Sequence, residues 1–251
     1  MTGRYPGNSV SEREPHATFQ YVFKWGFFGL NGLVYLAWAL ASELASHRER
    51  KLLTFMSDNF LLSFRNLRAG SWWTHLTSAL SHRSFGHLFA NMVAFNNYVP
   101  IALQLGLQPS ELVFLTFGSA LAGSAACVVD WKREGIYRAS ALGASGIVCG
   151  LGMMVTLLQP FMLVACPPLP RDIPLWVFTL GCFSCDIFGL GNERSRIGHA
   201  AHLGGMVYGA AWYLCTRQCD WSSLYTTYQG LEEGGRHDPR DGVIFQWEDI
   251  I

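Results

Sequence analysis

Three polar clusters interrupt otherwise apolar stretches of this sequence: His82, His87 and Asn91; then Gly143-Ala144-Ser145-Gly146; then Ala201-His202-Leu203-Gly204-Gly205. A serine hydroxyl is a weak nucleophile until a base takes its proton, and histidine can do this near neutral pH. Acyl transfer also needs donors aimed at the developing oxyanion, and His87 and Asn91, spaced i and i+4, project from one face of a helix. Each cluster alone is ambiguous. Serines in membrane helices commonly bond to backbone carbonyls, and a lone intramembrane histidine is as readily a bridge between helices as a base. Taken together, the clusters read as a hydrolytic site with Ser145 as nucleophile, His202 as base, and His87 and Asn91 as oxyanion donors. His199, one turn before His202, is the second candidate base; it sits nearer the helix end and lacks small residues on its own face.

Small residues must let the elements carrying these groups come close. His202, Gly205 and Gly209 share one helix face, and Gly146 and Gly150 form a matching GxxxG pattern after Ser145. Close approach of these two faces would set the serine-to-histidine distance. No acid is spaced to complete a triad, since Asp186 and Glu193 precede the last apolar run without a spacing that demands the role. A Ser-His dyad is the expectation.

The composition says where such a site would lie. Only 14% of the 251 residues are charged and 50% are hydrophobic, against roughly 25% charged in soluble domains. Six apolar runs emerge, at 22–43, 85–104, 110–130, 145–159, 173–190 and 199–217, which predicts an all-α, six-span membrane bundle. The organisation expected is a polar segment over 1–21, a catalytic six-helix unit over 22–217, and a polar, acidic tail over 218–251. The connection over 44–84, with Phe55, Phe60, Phe64, Trp72 and Trp73, predicts short helices lying at the membrane interface. The fourth run is short. About 15 residues give a helix of roughly 22 Å, less than the ~30 Å hydrocarbon thickness, so Ser145 should start its helix below the membrane surface inside a protein-lined cavity.

Other classes are excluded or disfavoured. A net charge of zero offers nothing to nucleic acid. The seven cysteines make no disulfide framework, and the lone CxxC of Cys182 and Cys185 lacks the four ligands of a zinc site, so neither metal nor cofactor is expected. The N-terminal residues have the pattern of neither a signal peptide nor a transit peptide.

The residues HRSFGHLFAN, with H-x4-H-x3-N spacing, GASG and AHLGGMVYG, in this order and in these runs, resemble the rhomboid intramembrane serine proteases from about Trp25 to Cys215. NLRAGSWWTHLTSALSH and HAAHLGG make the likeness closest to the mitochondrial, presenilin-associated type. The resemblance implies a six-helix bundle around a water-filled cavity. In it Ser145 is the nucleophile, His202 the base, and His87, Asn91 and the Ser145 backbone N–H the oxyanion donors; His82 braces the first loop, and Gly143, Gly146, Gly205 and Gly209 shape the site. It also implies transmembrane helices that unwind locally as substrates, the lipid bilayer as surroundings, and the mitochondrial inner membrane as location. The fifth span and its flanking loop would gate substrate entry. Two positions depart from bacterial members: Trp73 is followed by Thr74 rather than arginine, and Cys149 stands where a tyrosine usually stacks on the catalytic histidine. Basic residues including Arg48, Arg65, Lys132 and Arg138 concentrate in the loops on the side of Ser145 and His202, which predicts a site facing a matrix-like compartment. The alternative function is a catalytically inactive relative that binds or chaperones membrane helices, against which the joint retention of Ser145, His202, His87 and Asn91 argues. An electron carrier using His87 and His202 would leave GASG unexplained.

Overall fold

The computed structural model describes residues 16–165, 172–191 and 198–217. The polar tail expected over 218–251, the first fifteen residues of the 1–21 segment, and Glu193 lie outside the described residues. Six helices follow the six apolar runs: α1 (Ala17–Ser46), α5 (Phe85–Gln104), α6 (Pro109–Glu134), α7 (Ser145–Leu158), α8 (Leu175–Gly189) and α9 (His199–Thr216). Two of them, α1 and α6, are long and apolar enough to cross a bilayer by length and composition; α7 and α8 are apolar but short. The remaining two, α5 and α9, carry the polar groups described below, which lowers their hydropathy.

Helix boundaries follow local chemistry. Ser84 caps α5, its hydroxyl accepting from the His87 N–H at 3.2 Å. A capping box of Gln108 and Glu111 with Pro109 in the first turn starts α6, and Gly135 ends it with φ of 73°, where a residue without a side chain is favoured. Pro160 follows closely on α7 and bars its continuation. Ala144, at the N-cap of α7, offers no side-chain cap, so the helix's first N–H groups are left for other acceptors.

The bundle is built around α7. Its buried residues Ile147, Leu151, Met154 and Val155 pack with Phe95 and Val99 of α5, Leu112 and Leu115 of α6, and Leu175 of α8. The outer faces are apolar as well: Leu33 and Leu36 on α1, Phe114 and Phe117 on α6, Leu180 and Phe188 on α8, and Val207 on α9 are all exposed. A surface this apolar, on helices whose shared interior contains glycine, serine and asparagine, suits lipid rather than water. Polar ties join the helices. Lys24 of α1 donates to Asn96 of α5 at 2.9 Å, and Arg217, just past α9, pairs with Glu111 of α6 at 2.8 Å.

The 44–84 connection is folded. It holds α2 (Lys51–Phe60), β1 (Leu62–Ser63), α3 (Phe64–Arg68), α4 (Thr74–Thr77) and a 3-10 turn over Ser78–Leu80. Ser81 accepts from the Trp38 indole of α1 at 2.9 Å and donates to the Phe60 carbonyl at 2.8 Å, which ties the connection to the bundle. β1 pairs antiparallel with β2 (Ser140–Ala141), directly before the glycine-rich turn into α7. A second pair, β3 (Leu163–Val164) with β4 (Ile173–Pro174), links the end of α7 to the start of α8.

Candidate active site

Ser145 is the first residue of α7, and the turn before it is held from two directions. The Gly143 N–H donates to the Ser78 carbonyl at 2.9 Å, and the Ala144 N–H points at His82 Nε2 at 3.4 Å. His82 is therefore a backbone acceptor here, 3% exposed. Burial, helped by the neighbouring His87, pushes its pKa down from 6.5 to about 4, so the ring is neutral and its Nε2 lone pair is available. Gly143 has φ of 130°, and a methyl group there would lie 2.6 Å from His87 Cε1. Only glycine allows both this backbone and the imidazole lying against it.

His87 and Asn91 stand one turn apart at the start of α5. Asn91 is buried and spends one amide hydrogen on the His87 carbonyl at 2.9 Å, which leaves it a second. His87, with the Gly143 turn against its ring, borders the same cavity as His202.

The approach of α9 to α7 is set by glycine. A methyl group on Gly205 would overlap the Gly146 carbonyl oxygen and lie 2.8 Å from its carbon; one on Gly209 would overlap the Gly150 carbonyl oxygen. One on Gly146 would in turn lie 3.1 Å from the Ala201 carbonyl oxygen. Backbone faces backbone here, with no side chain able to swing aside. Ser145, His87, Asn91, Gly143, Gly146, His199 and His202 all border one cavity of about 1120 Å³. Gly205 and Gly209 lie behind it in the helix contact, and His82 lies beside it. The N-terminal turns of α5, α7 and α9 border this cavity, as do the C-terminal ends of α6 and α8; the positive end of α7 stands at Ser145, where negative charge would develop in acyl transfer.

Asp186, to which its spacing in the sequence assigns no role, is brought to the histidines of α9 by the fold. Asp186 of α8, 5% exposed, accepts from His202 Nδ1 at 3.0 and 3.2 Å through its two oxygens, and from His199 Nδ1 at 2.8 Å. The signal available was an acid within an apolar run, which is costly unless paired. The pairing crosses a loop whose path the sequence does not give, so spacing could not find it. His199, the second candidate base, also lies against Gly189, where a methyl group would run into its ring.

Comparison with known proteins accords with this architecture. The family model described as Rhomboid domain matches residues 69–219. The chain is 32% identical over 175 residues to RHOMBOID-like protein 12, mitochondrial, of Arabidopsis thaliana, a match covering 63% of this chain and 51% of that protein. It is also 32% identical over 142 residues to Rhomboid protein 1, mitochondrial, of Saccharomyces cerevisiae, covering 55% and 40% respectively. The matches thus span about half the length, or less, of these curated relatives.

Proposed function

Because the chain belongs to the rhomboid family, we propose that it is an intramembrane serine endopeptidase working through Ser145 and His202. The observation that supports this best is the common cavity bordered by Ser145, His202, His87 and Asn91. On this reading α1 and α5 to α9 all cross the membrane and form the catalytic unit of 22–217, with polar segments at 1–21 and 218–251. The short α7 then starts within the membrane depth, and water reaches Ser145 through the cavity.

The chemistry follows from what each group can donate or accept. His202 Nε2 takes the proton of the Ser145 hydroxyl as its oxygen attacks the scissile carbonyl, forming the new C–O bond. The carbonyl oxygen becomes an oxyanion, which the Ser145 backbone N–H, the His87 ring and the second amide hydrogen of Asn91 stabilise. Collapse breaks the C–N bond, and His202 returns its proton to the leaving amine. Water, deprotonated by His202, then hydrolyses the acyl-enzyme and frees the serine. His82 takes no part in these transfers; it holds the Ala144 N–H and with it the turn that aims Ser145.

Substrates are transmembrane helices that unwind locally near a small residue, because an extended backbone must enter the cavity for its carbonyl to meet Ser145. The two relatives carry mitochondrial names, and the mitochondrial inner membrane is the location proposed here. A fluorophosphonate probe tests the nucleophile: it should label the wild type, and Ser145→Ala should abolish both labelling and cleavage. Labelling that survives Ser145→Ala would remove Ser145 from the mechanism. A protein that folds but never labels would favour a holder of membrane helices over a protease.

A further inference from the structure

Asp186 is a carboxylate on an apolar helix whose two oxygens are engaged by the two histidines of α9. An ion in such surroundings is costly to keep, and the bonds it makes are specific in a way that packing alone does not require. We propose that Asp186 is a positioning residue for His202, fixing the ring's orientation and tautomer so that the Nε2 lone pair faces Ser145. The inference rests on the reading of His202 as the base.

An ionised carboxylate can only accept, so the proton of a neutral His202 must sit on Nδ1, the nitrogen 3.0 and 3.2 Å from Asp186. That leaves Nε2 unprotonated, as a base must be. The carboxylate also lies where positive charge appears once His202 has taken the serine proton, and its own charge does not change during the transfer. Straddling of the Nδ1–H by both oxygens restricts rotation of the ring about its bond to Cβ. His199 holds the carboxylate from the other side, its Nδ1–H donating to the same Oδ1 at 2.8 Å, so Asp186 is fixed in turn by a second donor. Among the described residues, the titratable groups near this cluster from other elements are His87 of α5, which borders the same cavity as His202, and the Cys149 thiol of α7, which senses the Asp186 charge.

A purely structural lock between α8 and α9 would use the same bonds, so the test must separate orientation of the base from stability. The rate of fluorophosphonate labelling, which reads serine activation without a substrate helix, is measured in lipid for the wild type, Ser145→Ala, Asp186→Asn, Asp186→Ser and Asp186→Glu. The thermal midpoint of each is recorded. Ser145→Ala should not label. Asp186→Asn and Asp186→Ser should label at least about 100-fold more slowly than wild type, by analogy with the loss of the acid in soluble triads. Cleavage of a reporter helix should show the same loss in kcat with KM little changed. Asp186→Glu, which keeps the carboxylate, should recover part of the rate. On the wild type itself, a low-field proton resonance coupled to His202 Nδ1 should be seen, and be lost in His202→Gln.

A folded Asp186→Asn or Asp186→Ser that labels within about threefold of wild type, where the tautomer argument demands a loss of orders of magnitude, would overturn the proposal. Should neither variant fold, absence of the low-field His202 resonance from the wild type would overturn it, and its presence would support it. Labelling of Ser145→Ala would instead strike the protease reading, whatever the Asp186 variants do.

Discussion

Gly205→Ala puts a single methyl group where the geometry has no room for it. The added carbon would overlap the Gly146 carbonyl oxygen and sit 2.8 Å from the carbonyl carbon, while ordinary contact is 3.4–4 Å. The obstacle is backbone on both helices, so relief requires α9 to move away from α7 by roughly 1 Å, because packed interiors leave no slack to absorb a methyl group. Overpacking of this kind costs about 1–3 kcal/mol. His202 is carried on α9 three residues before the clash, and Ser145 on α7 one residue before the carbonyl it meets, so the shift falls directly on the reacting pair. A misplacement near 1 Å costs about 100-fold in rate. Fluorophosphonate labelling in lipid, with the thermal midpoint measured in parallel, gives both quantities. Gly181→Ala, on α8 with nothing within 4 Å of the added methyl group, is the control and should keep the wild-type rate. A Gly205→Ala protein with wild-type labelling and stability would refute the claim that the glycine contact sets the Ser145–His202 distance.

The remaining predictions concern the donors and the turn that holds the serine. His87→Ala and Asn91→Ala should each lower kcat about 100- to 1,000-fold, the usual loss for one oxyanion donor, with little change in KM for a reporter helix. The neutral state of His82 predicts the direction of acid sensitivity. Its pKa is about 4 in the fold and 6.5 when unperturbed, so between these values the unfolded chain binds more protons and stability falls as pH drops. His75, also depressed by burial, acts in the same direction. Thermal midpoints recorded between pH 7 and pH 4 should fall with acid in the wild type and fall less steeply in His82→Asn, which is less stable at neutral pH.

How far the sequence could be read depended on whether the information was local. The six apolar runs coincide with helices because hydropathy acts along the chain, although α1 already begins at Ala17 and α6 runs on to Glu134. The glycine pattern of Gly146, Gly150, Gly205 and Gly209 was legible because helical spacing fixes which residues share a face, and the structure sets those two faces against each other. The two-residue pairing of Leu62 with Ala141, which braces the turn before Ser145, was not legible, since a bridge between distant loops leaves no period. The same holds for the contact between the Ala144 N–H and His82 Nε2. Asp186 is visible in the sequence, but its role is not. Its spacing from His202 carries no period, because the acid comes from a neighbouring helix, and its cost in an apolar run is the better clue.

If Ser145 and His202 cut a helix within the bilayer, cleavage of a transmembrane reporter helix by the purified protein in proteoliposomes will show it, with wild type run beside Ser145→Ala and His202→Ala and the product termini located by mass spectrometry. The wild type should cut inside the reporter's membrane segment and neither variant should cut. Equal cleavage by wild type and Ser145→Ala, or a folded wild type that binds the reporter and leaves it whole, would rule the Ser145–His202 protease out.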